Sequence, residues 1–479
     1  MPNSKDSLFT ATLCAFCIFC VSMAISELEA EMSYQQKPIM LHPDNPHYFL
    51  FRREPTILIT SGEHYGAILN LDFDYVKYLD EIEACGLNLT RTFSGVYCES
   101  PTSFNIQRNT LAPAPERFIC PWARSSEAGY ANGGNKFDLN KWDDVYFERL
   151  KDFVSQAQRR GIVVEMVLFC PYYGDEQWDL SPIKITNNVN GIGDMLRTDA
   201  LTSKDCDMVA VHEKMARKIV TELKDFDNLY YEICNEPYFG GVTIEWQYYI
   251  ASVIVDTEKD FSNKHLIAQN IANGSAKIEN PNPDVSIFNF HYATPPDTVG
   301  LNYDLNKVIG DDETGFRGIE DVLYRTEAWE FIVAGGGEYS NLDYSFTVGH
   351  EDGTFPIPEK QPGGGGKALR KQLKILKDFM YDFNFIRMSP DNSVIRSVTP
   401  SESVVRVLAD ADRAYAIYIK GGTKTELELD LPKGDYKAEW LNTKTGIIEE
   451  TKEINHDGGN LKLLSPDYEE DIALRILKN

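Results

Sequence analysis

Hydrophobic positions follow two alternating rhythms along most of this chain. Short apolar runs fall at Thr56–Thr60, Leu87–Phe93, Ile162–Phe169, Leu229–Cys234, His265–Gln269, Val285–His291 and Lys307–Gly310, with one more inside Gly335–Phe346. Runs of this length bounded by turn residues read as buried strands. Between them, apolar residues recur at helical spacing, as with Tyr75, Tyr78, Leu79 and Ile82, or Val145, Phe147, Leu150, Phe153 and Val154. The same spacing predicts helices over Asp72–Cys85, Asp144–Arg160, Asp207–Leu223, Ile244–Phe261, Ile319–Val333 and Lys367–Phe383. Gly86 and Gly161 sit where the first two should stop. Little but a loop separates Gln269 from Val285, so the fifth helix is weak.

Strands alternating with helices call for a parallel sheet, and about eight of them over about 330 residues call for a (β/α)8 TIM barrel. A loop rich in Pro, Ser and Gly runs from Ser94 to about Asn135; a loop of that length is functional or disordered. From Ser393 the pattern becomes short alternating strands, Ser403–Leu408, Ala414–Ile419, Leu427–Leu431, Tyr436–Trp440 and Ile472–Ile476, punctuated by glycine pairs. That is an antiparallel all-β sandwich. The organisation expected is a signal peptide over residues 1–26, a barrel over 33–390 and a sandwich over 391–479.

The leader changes the picture of where the chain works. Lys5 precedes an apolar stretch, Leu8–Ile25, and Ser22-Met23-Ala24 offers small residues for cleavage. This is the pattern of a secretory signal, so the protein is expected to be secreted, periplasmic or extracellular. If the leader were retained it would be a membrane anchor. Six cysteines lie beyond it, with no Cys-x-x-Cys pair, which argues against a zinc site. Cys98, Cys120, Cys170 and Cys206 fall in loop-like stretches where export permits one disulfide. The net charge of −26 repels nucleic acid and anionic membrane surfaces.

Candidate chemistry sits at the strand ends. Asn235-Glu236-Pro237 closes the fourth strand, where Pro237 and Gly240-Gly241 open a loop. A barrel keeps its active site at this end of its strands. Glycosidic cleavage needs one carboxylic acid to protonate the leaving oxygen and a second carboxylate to attack or to activate water. Glu313, downstream at the end of strand seven, supplies the partner. Asp311 and Asp312 compete with it, and Glu313 is preferred because it lies furthest toward the tip. Glu63-His64-Tyr65 at the first strand's tip contacts either sugar or a structural hydrogen-bond network. Tyr172, Tyr173 and Trp178 line the mouth or pack the loop after strand three. Gly363–Lys367 lacks the spacing of a phosphate-binding loop and reads as a flexible loop. No Gly-x-Ser-x-Gly or His-Glu-x-x-His occurs, which argues against common serine hydrolases and zinc proteases.

Strand four ending in Asn235-Glu236-Pro237, strand six ending in His291-Tyr292 and strand seven ending in Glu313 resemble the retaining glycoside hydrolases of clan A, with family 5 cellulase-like enzymes nearest. The resemblance implies that Glu236 is the acid/base and Glu313 the nucleophile. It implies that Asn235 bonds the sugar 2-hydroxyl, that Arg91 sits beside Glu313 and helps keep it ionised, and that His291 and Tyr292 line the cleft. His64 is carried as a sugar contact. An aromatic platform is implied near strand eight; Trp329 falls in the preceding helix, which leaves Tyr339 as the nearer candidate. The substrate is then a poly- or oligosaccharide, with no metal or cofactor required. The rival readings are a non-catalytic carbohydrate-binding barrel and a transglycosylase.

Overall fold

The computed structural model describes residues 37–479; the leader read over residues 1–26 lies outside them. Eight parallel strands form one sheet: β1 (Leu58–Gly62), β2 (Leu89–Phe93), β3 (Val163–Phe169), β4 (Leu229–Cys234), β5 (Ile267–Asn273), β6 (Ile287–His291), β7 (Val308–Thr314) and β8 (Glu338–Leu342). From β2 to β8 each strand pairs with its sequence neighbour, and β8 returns to pair with β1. The seam between β1 and β2 is closed by a side chain: the Asn88 amide accepts from the Ile59 N–H and donates to the Ile57 carbonyl, both at 2.9 Å. The result is a (β/α)8 TIM barrel.

Helices α1 (Tyr75–Ala84), α2 (Asp144–Arg159), α3 (Cys206–Leu223) and α4 (Ile244–Glu258) follow the first four strands. Each starts at a side chain that accepts an otherwise orphaned N–H: Asp74, Asp143, Asp205 and Thr243. No helix joins β5 to β6, in line with the weak pattern there. After β6 comes the short α5 (Asp297–Asn302), then α6 (Asp321–Val333) and, after β8, α7 (Lys367–Tyr381).

The barrel interior is built in layers by strand alternation. At the bottom lie Leu58, Leu89, Val163, Tyr230, Ala268, Ile287 and Val308, sealed by Ile39, Phe49 and Phe51 of an N-terminal antiparallel ribbon. Two residues further along each strand the layer is polar, with Thr60, Arg91, Glu165, Glu232, Asn270, Asn289 and Gly310, joined by Glu338 from β8 and by Asp312 one step higher on β7. Of these, all but Gly310 are buried polar or charged side chains. Gly310 makes room for them, since a Cβ there would stand 2.5 Å from Asn289 Oδ1. A polar layer inside a barrel is costly unless its members satisfy one another, and its position directly beneath the strand tips fixes what lies above.

The region after residue 390 holds β9 (Ile395–Thr399), β10 (Val404–Asp410), β11 (Ala414–Lys420), β12 (Glu426–Leu431), β13 (Gly434–Leu441), β14 (Ile448–His456), β15 (Gly459–Leu464) and β16 (Asp471–Lys478). Strands β10, β11, β16, β13 and β14 form one sheet, joined by the short bridge strand Ser389–Pro390, and β9, β12 and β15 form the other. Their inner faces bury Val407, Ile417, Leu429, Trp440 and Leu474. The sandwich is welded to the barrel. Trp329 of α6 stacks on Tyr418 at 5.5 Å, and Arg325 donates to Asp471 at 2.7 Å beside it. The large hydrophobic side chains the sandwich exposes are aliphatic, Ile447, Ile448 and Leu464.

Two expectations are corrected here. Cys98, Cys120, Cys170 and Cys206 are all free, and so are Cys85 and Cys234. Cys98, Cys120 and Cys170 are buried core thiols, and burial pushes Cys98 up to about 12, which makes them inert rather than paired. The glycine tract before α7 is not a flexible loop either. A Cβ on Gly363 would sit 1.8 Å from the Gly315 carbonyl oxygen, and the Gly366 N–H donates to Asp343. The glycines are there for close packing against the exit of β7.

Candidate active site

Asn235 and Glu236 follow β4 directly. The Asn235 N–H donates to the Phe169 carbonyl of β3 at 2.9 Å, so Asn235 still rides on the sheet. Glu236 then turns with φ at 38°, in the left-handed region that non-glycine residues rarely adopt. Tyr65 and Tyr292, with φ of 58° and 55°, do the same at the exits of β1 and β6. Strained residues clustered at one mouth mark a site where side-chain direction matters more than local comfort.

Glu313 reaches the mouth by another device. Strict alternation would point Gly310, Asp312 and Thr314 inward and turn Glu313 out. The ladder between β6 and β7 slips, however, pairing Phe290 with Asp311 but His291 with Glu313. This bulge lets Asp312 and Glu313 both face the barrel axis, a common use of bulges beside active sites. Asp311 faces the helix layer, where the charge of Glu327 acts on it. The preference for Glu313 over its neighbours therefore holds for a reason the sequence does not display.

A carboxylate oxygen of Glu236, one of Glu313 and a ring nitrogen of His291 lie within 4.8 Å of one another. Both carboxylates are nearly buried, at 8% and 6% exposure. Glu313 accepts from the hydroxyls of Tyr65 at 2.9 Å and Tyr292 at 2.8 Å, and from Arg91 at 3.3 Å. Glu236 accepts from the hydroxyls of Tyr173 at 2.5 Å and Tyr238 at 3.2 Å. Arg91 Nη2 also donates to Asn235 Oδ1 at 2.8 Å, and Asn235 donates on to the Tyr173 hydroxyl at 2.8 Å. His291 bridges the pair from below, with Nδ1 3.2 Å from Glu236 and Nε2 3.2 Å from Asp312. Burial alone would strip the His291 proton. The charges of Glu313 and Asp312, with hydrogen bonds to Asp312 and Glu236, outweigh it and hold His291 far above the ordinary histidine range. Burial would likewise raise the Glu236 carboxyl, but the hydrogen bond and charge of His291, then hydrogen bonds from Tyr173 and Asn273, keep it below its ordinary value.

Arg91 is the keystone. It lies over the Tyr65 ring at 4.6 Å and is ringed by Glu232 at 2.6 Å, Asp312 at 3.3 Å, Glu165 at 3.4 Å and Glu313 at 3.3 Å. Glu165, Glu232 and Asp312 have the spacing of a cation site, and the guanidinium already supplies that positive charge. One cation does not neutralise the layer. Burial, then the charge of Asp312 acting against Arg91, pushes Glu232 up to about 7; burial and Asp312 push Glu338 up to about 8. The folded state thus holds protons that the unfolded chain releases at ordinary carboxylate pH. That stability is complete below about pH 4.3, the unfolded value, and is lost as pH rises through 7 to 8. The urea midpoint should fall between pH 6 and pH 9, and Glu338→Gln, which imitates the protonated acid, should flatten the fall. A midpoint that rises over this range would refute the assignment.

The cleft above the pair has a volume of about 240 Å3 and is lined by His64, Tyr65, Tyr97, Glu99, Phe104, Tyr173, Asn235, Glu236, Phe239, Tyr292, Glu313 and Phe316, among others. Of the residues singled out from sequence, Arg91, Asn235, Glu236, His291, Tyr292 and Glu313 meet here, and His64 lines the wall. Glu63 does not: it caps its own loop, accepting from Gly66, Ala67 and Thr110. Tyr339 is the misplaced one. Its neighbour Glu338 points inward, so alternation turns Tyr339 out, where its hydroxyl donates to the Tyr324 carbonyl of α6 at 2.9 Å. Tyr172 and Trp178 are buried packing, and Tyr173 alone of that group reaches a carboxylate. Tyr65, read with Glu63 and His64 as a sugar contact or a structural hydrogen-bond partner, lines the cleft, and Glu99, Phe104, Phe239 and Phe316 line it without having been marked; nothing in a single loop sequence marks which of its side chains turns inward.

Residues 117–312 match the model of the cellulase family, glycosyl hydrolase family 5. That span contains Asn235-Glu236-Pro237 and stops one residue before Glu313. The barrel is a clan A, cellulase-like glycoside hydrolase barrel. No curated protein matches the chain by sequence. Solved structures match it nearly end to end. A Bacteroides vulgatus protein ascribed to the glycoside hydrolases superposes with a TM-score of 0.65 at 14% identity, covering 93% of this chain and 83% of its own. A family 5 glycoside hydrolase from the same organism gives 0.61 at 15% identity over 93% and 94%. Another glycoside hydrolase gives 0.61 at 16% identity over 93% and 98%. At these identities the superpositions speak for the hydrolase's fold, including the sandwich, and the site must speak for its chemistry.

Proposed function

We propose that this glycoside hydrolase cleaves a poly- or oligosaccharide with retention, Glu313 acting as nucleophile and Glu236 as acid/base. The observation that carries this is the spacing. One oxygen of each carboxylate within 4.8 Å of the other suits the about 5–5.5 Å separation of retaining carboxyls better than the about 6.5–9.5 Å of an inverting pair, which holds a water between them. Two intact carboxylates in one cleft also weigh against a barrel that only binds sugar.

In the first step Glu313 attacks the anomeric carbon, the bond to the leaving oxygen breaks, and that oxygen takes a proton from Glu236. A general acid normally carries a raised pKa, whereas Glu236 is held low in the resting site. His291 resolves the conflict. Its proton is held by the charge of Glu313, and that charge is consumed as the new bond forms. The proton on His291, 3.2 Å from Glu236, is then free to pass through Glu236 to the leaving oxygen. In the second step Glu236 takes a proton from water, the hydroxide displaces Glu313, and the proton returns to His291. Asn235, fixed by Arg91 and Tyr173, turns its amide toward the 2-hydroxyl of the reacting sugar. No metal or cofactor enters either step.

The screen that finds the sugar also tests the role of Glu236. With Glu236→Gln, kcat/KM should fall by about 10²–10⁴-fold on glycosides with poor leaving groups and far less on nitrophenyl glycosides, which need no protonation. An equal loss on both classes would refute the acid role.

We propose export as well. The Lys5-led apolar leader supports it, and the charge of −26 fits a neutral carbohydrate partner rather than nucleic acid. Among the described residues no helix is long and apolar enough to cross a membrane. Fractionation with N-terminal sequencing of the exported chain would reveal a cut near residue 26; a leader still attached would mean an anchor instead.

A further inference from the structure

The cleft holds a third carboxylate that the two-step chemistry does not use. Glu99 lies on the segment after β2, and its side chain is only 3% exposed. Its backbone N–H is pinned to the Leu111 carbonyl at 2.8 Å. The Tyr97 hydroxyl donates to Oε1 at 2.9 Å, Asn109 donates to Oε2, and His64 Nε2 stands 3.5 Å from Oε2. His64 is itself stacked between Tyr65 at 5.4 Å and Tyr344 at 6.1 Å. A carboxylate this deeply buried is costly to hold, yet two side chains of its own segment and His64 from the β1 exit fix it in the cleft wall.

Its place in the cleft has a direction. If Glu236 protonates the leaving oxygen, the leaving half of the substrate lies over the β4 exit, beside Tyr238 and Phe239, which are 37% and 44% exposed. The sugar attacked by Glu313 must then extend the other way, toward the β8–β1 side and His64. Glu99 through His64, and Thr110 through Glu63 and the His64 carbonyl, hold the segment 96–111 against the β1 exit, and from there Phe104 reaches across to Tyr173 and Phe316. The cleft's volume of about 240 Å3 is below the roughly 300–1,000 Å3 of typical ligand pockets.

We propose that the hydrolase is exo-acting: Glu99 accepts hydrogen bonds from neighbouring hydroxyls of the terminal, non-reducing sugar, and the segment 96–111 stops the chain from continuing beyond it. This rests on the roles given above to Glu236 and Glu313. A carboxylate has acceptor sites for two adjacent hydroxyls, and a site built to bond a hydroxyl strongly rejects a substrate that lacks it.

The test uses the full chain and the oligosaccharide glycoside that the screen identifies, in two forms. One has a free non-reducing end; the other has its terminal 4- and 6-hydroxyls tied up as a cyclic acetal. The capped form should be cleaved at least about 100-fold more slowly, and polymer should release one small sugar with little early loss of viscosity. Glu99→Gln should lower kcat/KM on the free form by about 10–100-fold, mostly through KM, as loss of a charged acceptor does. Equal rates on capped and free forms, or a rapid fall in viscosity, would overturn the exo assignment and leave the hydrolase reading standing. No hydrolysis of any glycoside in the screen would overturn both. The capped-against-free comparison needs only the unmutated chain, so it decides the matter even if Glu99→Gln folds poorly.

Discussion

Replacing Glu313 with Gln is expected to lower kcat/KM by about 10⁴-fold or more, since nucleophile removal abolishes the covalent route. The amide cannot form the glycosyl ester, yet it fills the same space. Its oxygen can still accept from Tyr65 or Tyr292, which donate to the carboxylate at 2.9 and 2.8 Å, so the melting temperature should move little. Glu313→Ala goes further by vacating the position. On an activated glycoside, added azide should then attack from the face that Glu313 held and give the glycosyl azide of inverted configuration. Retention of a tenth or more of the activity by Glu313→Gln would remove Glu313 from the chemistry and return Asp312 to consideration.

Arg91→Met is expected to cost about 3–5 kcal/mol of stability, the usual penalty for leaving buried charges without their partner. Arg91 is 2% exposed and touches Glu165, Glu232, Asp312 and Glu313, all within 3.4 Å. Without it three carboxylates of the inner layer face one another in low dielectric and must take up protons. The activity should fall too, because Asn235 loses the 2.8 Å bond that orients its amide. Arg91→Lys keeps the charge but loses the fork that serves Glu232, Asn235 and Glu313 together, so it should fall between. Chemical denaturation of the three proteins at pH 6 checks the order. A methionine variant as stable as the parent would show that the inner layer does not depend on the guanidinium.

The barrel was legible because its strands are buried on both faces and its helices on one, which writes two distinct periods into the sequence. The weak link after β5 was legible for the same reason, as no amphipathic run fills it. Asn235-Glu236-Pro237 stood out because it closes a buried apolar strand and a second acidic strand end, at Glu313, follows downstream. Glu313 is a subtler case. Its choice over Asp311 and Asp312 rested on being nearest the tip, whereas the physical cause is a one-residue slip between Phe290–Asp311 and His291–Glu313. A bulge leaves no mark on composition. The same blindness to register put Tyr339 in the cleft, although Glu338 takes the inward position and turns it to α6. Loop residues were the least readable. Glu99 and Phe104 belong to a stretch without periodicity, and their direction is set by contacts with His64, Asn109 and Tyr173 far away in sequence or across a turn. The glycines at 363–366 looked like flexibility and are in fact packing.

The pairing of Glu236 and Glu313 in a retaining site is tested most directly by trapping the glycosyl-enzyme. A 2-deoxy-2-fluoro glycoside of the preferred sugar, with a good leaving group, should glycosylate the hydrolase faster than water can release it, because fluorine at C2 slows both steps while the leaving group spares the first. Mass spectrometry should then find one added glycosyl unit, located by peptide mapping on Glu313. A label on Glu236 or Asp312, or no label while the natural substrate gives the opposite anomer, would contradict it.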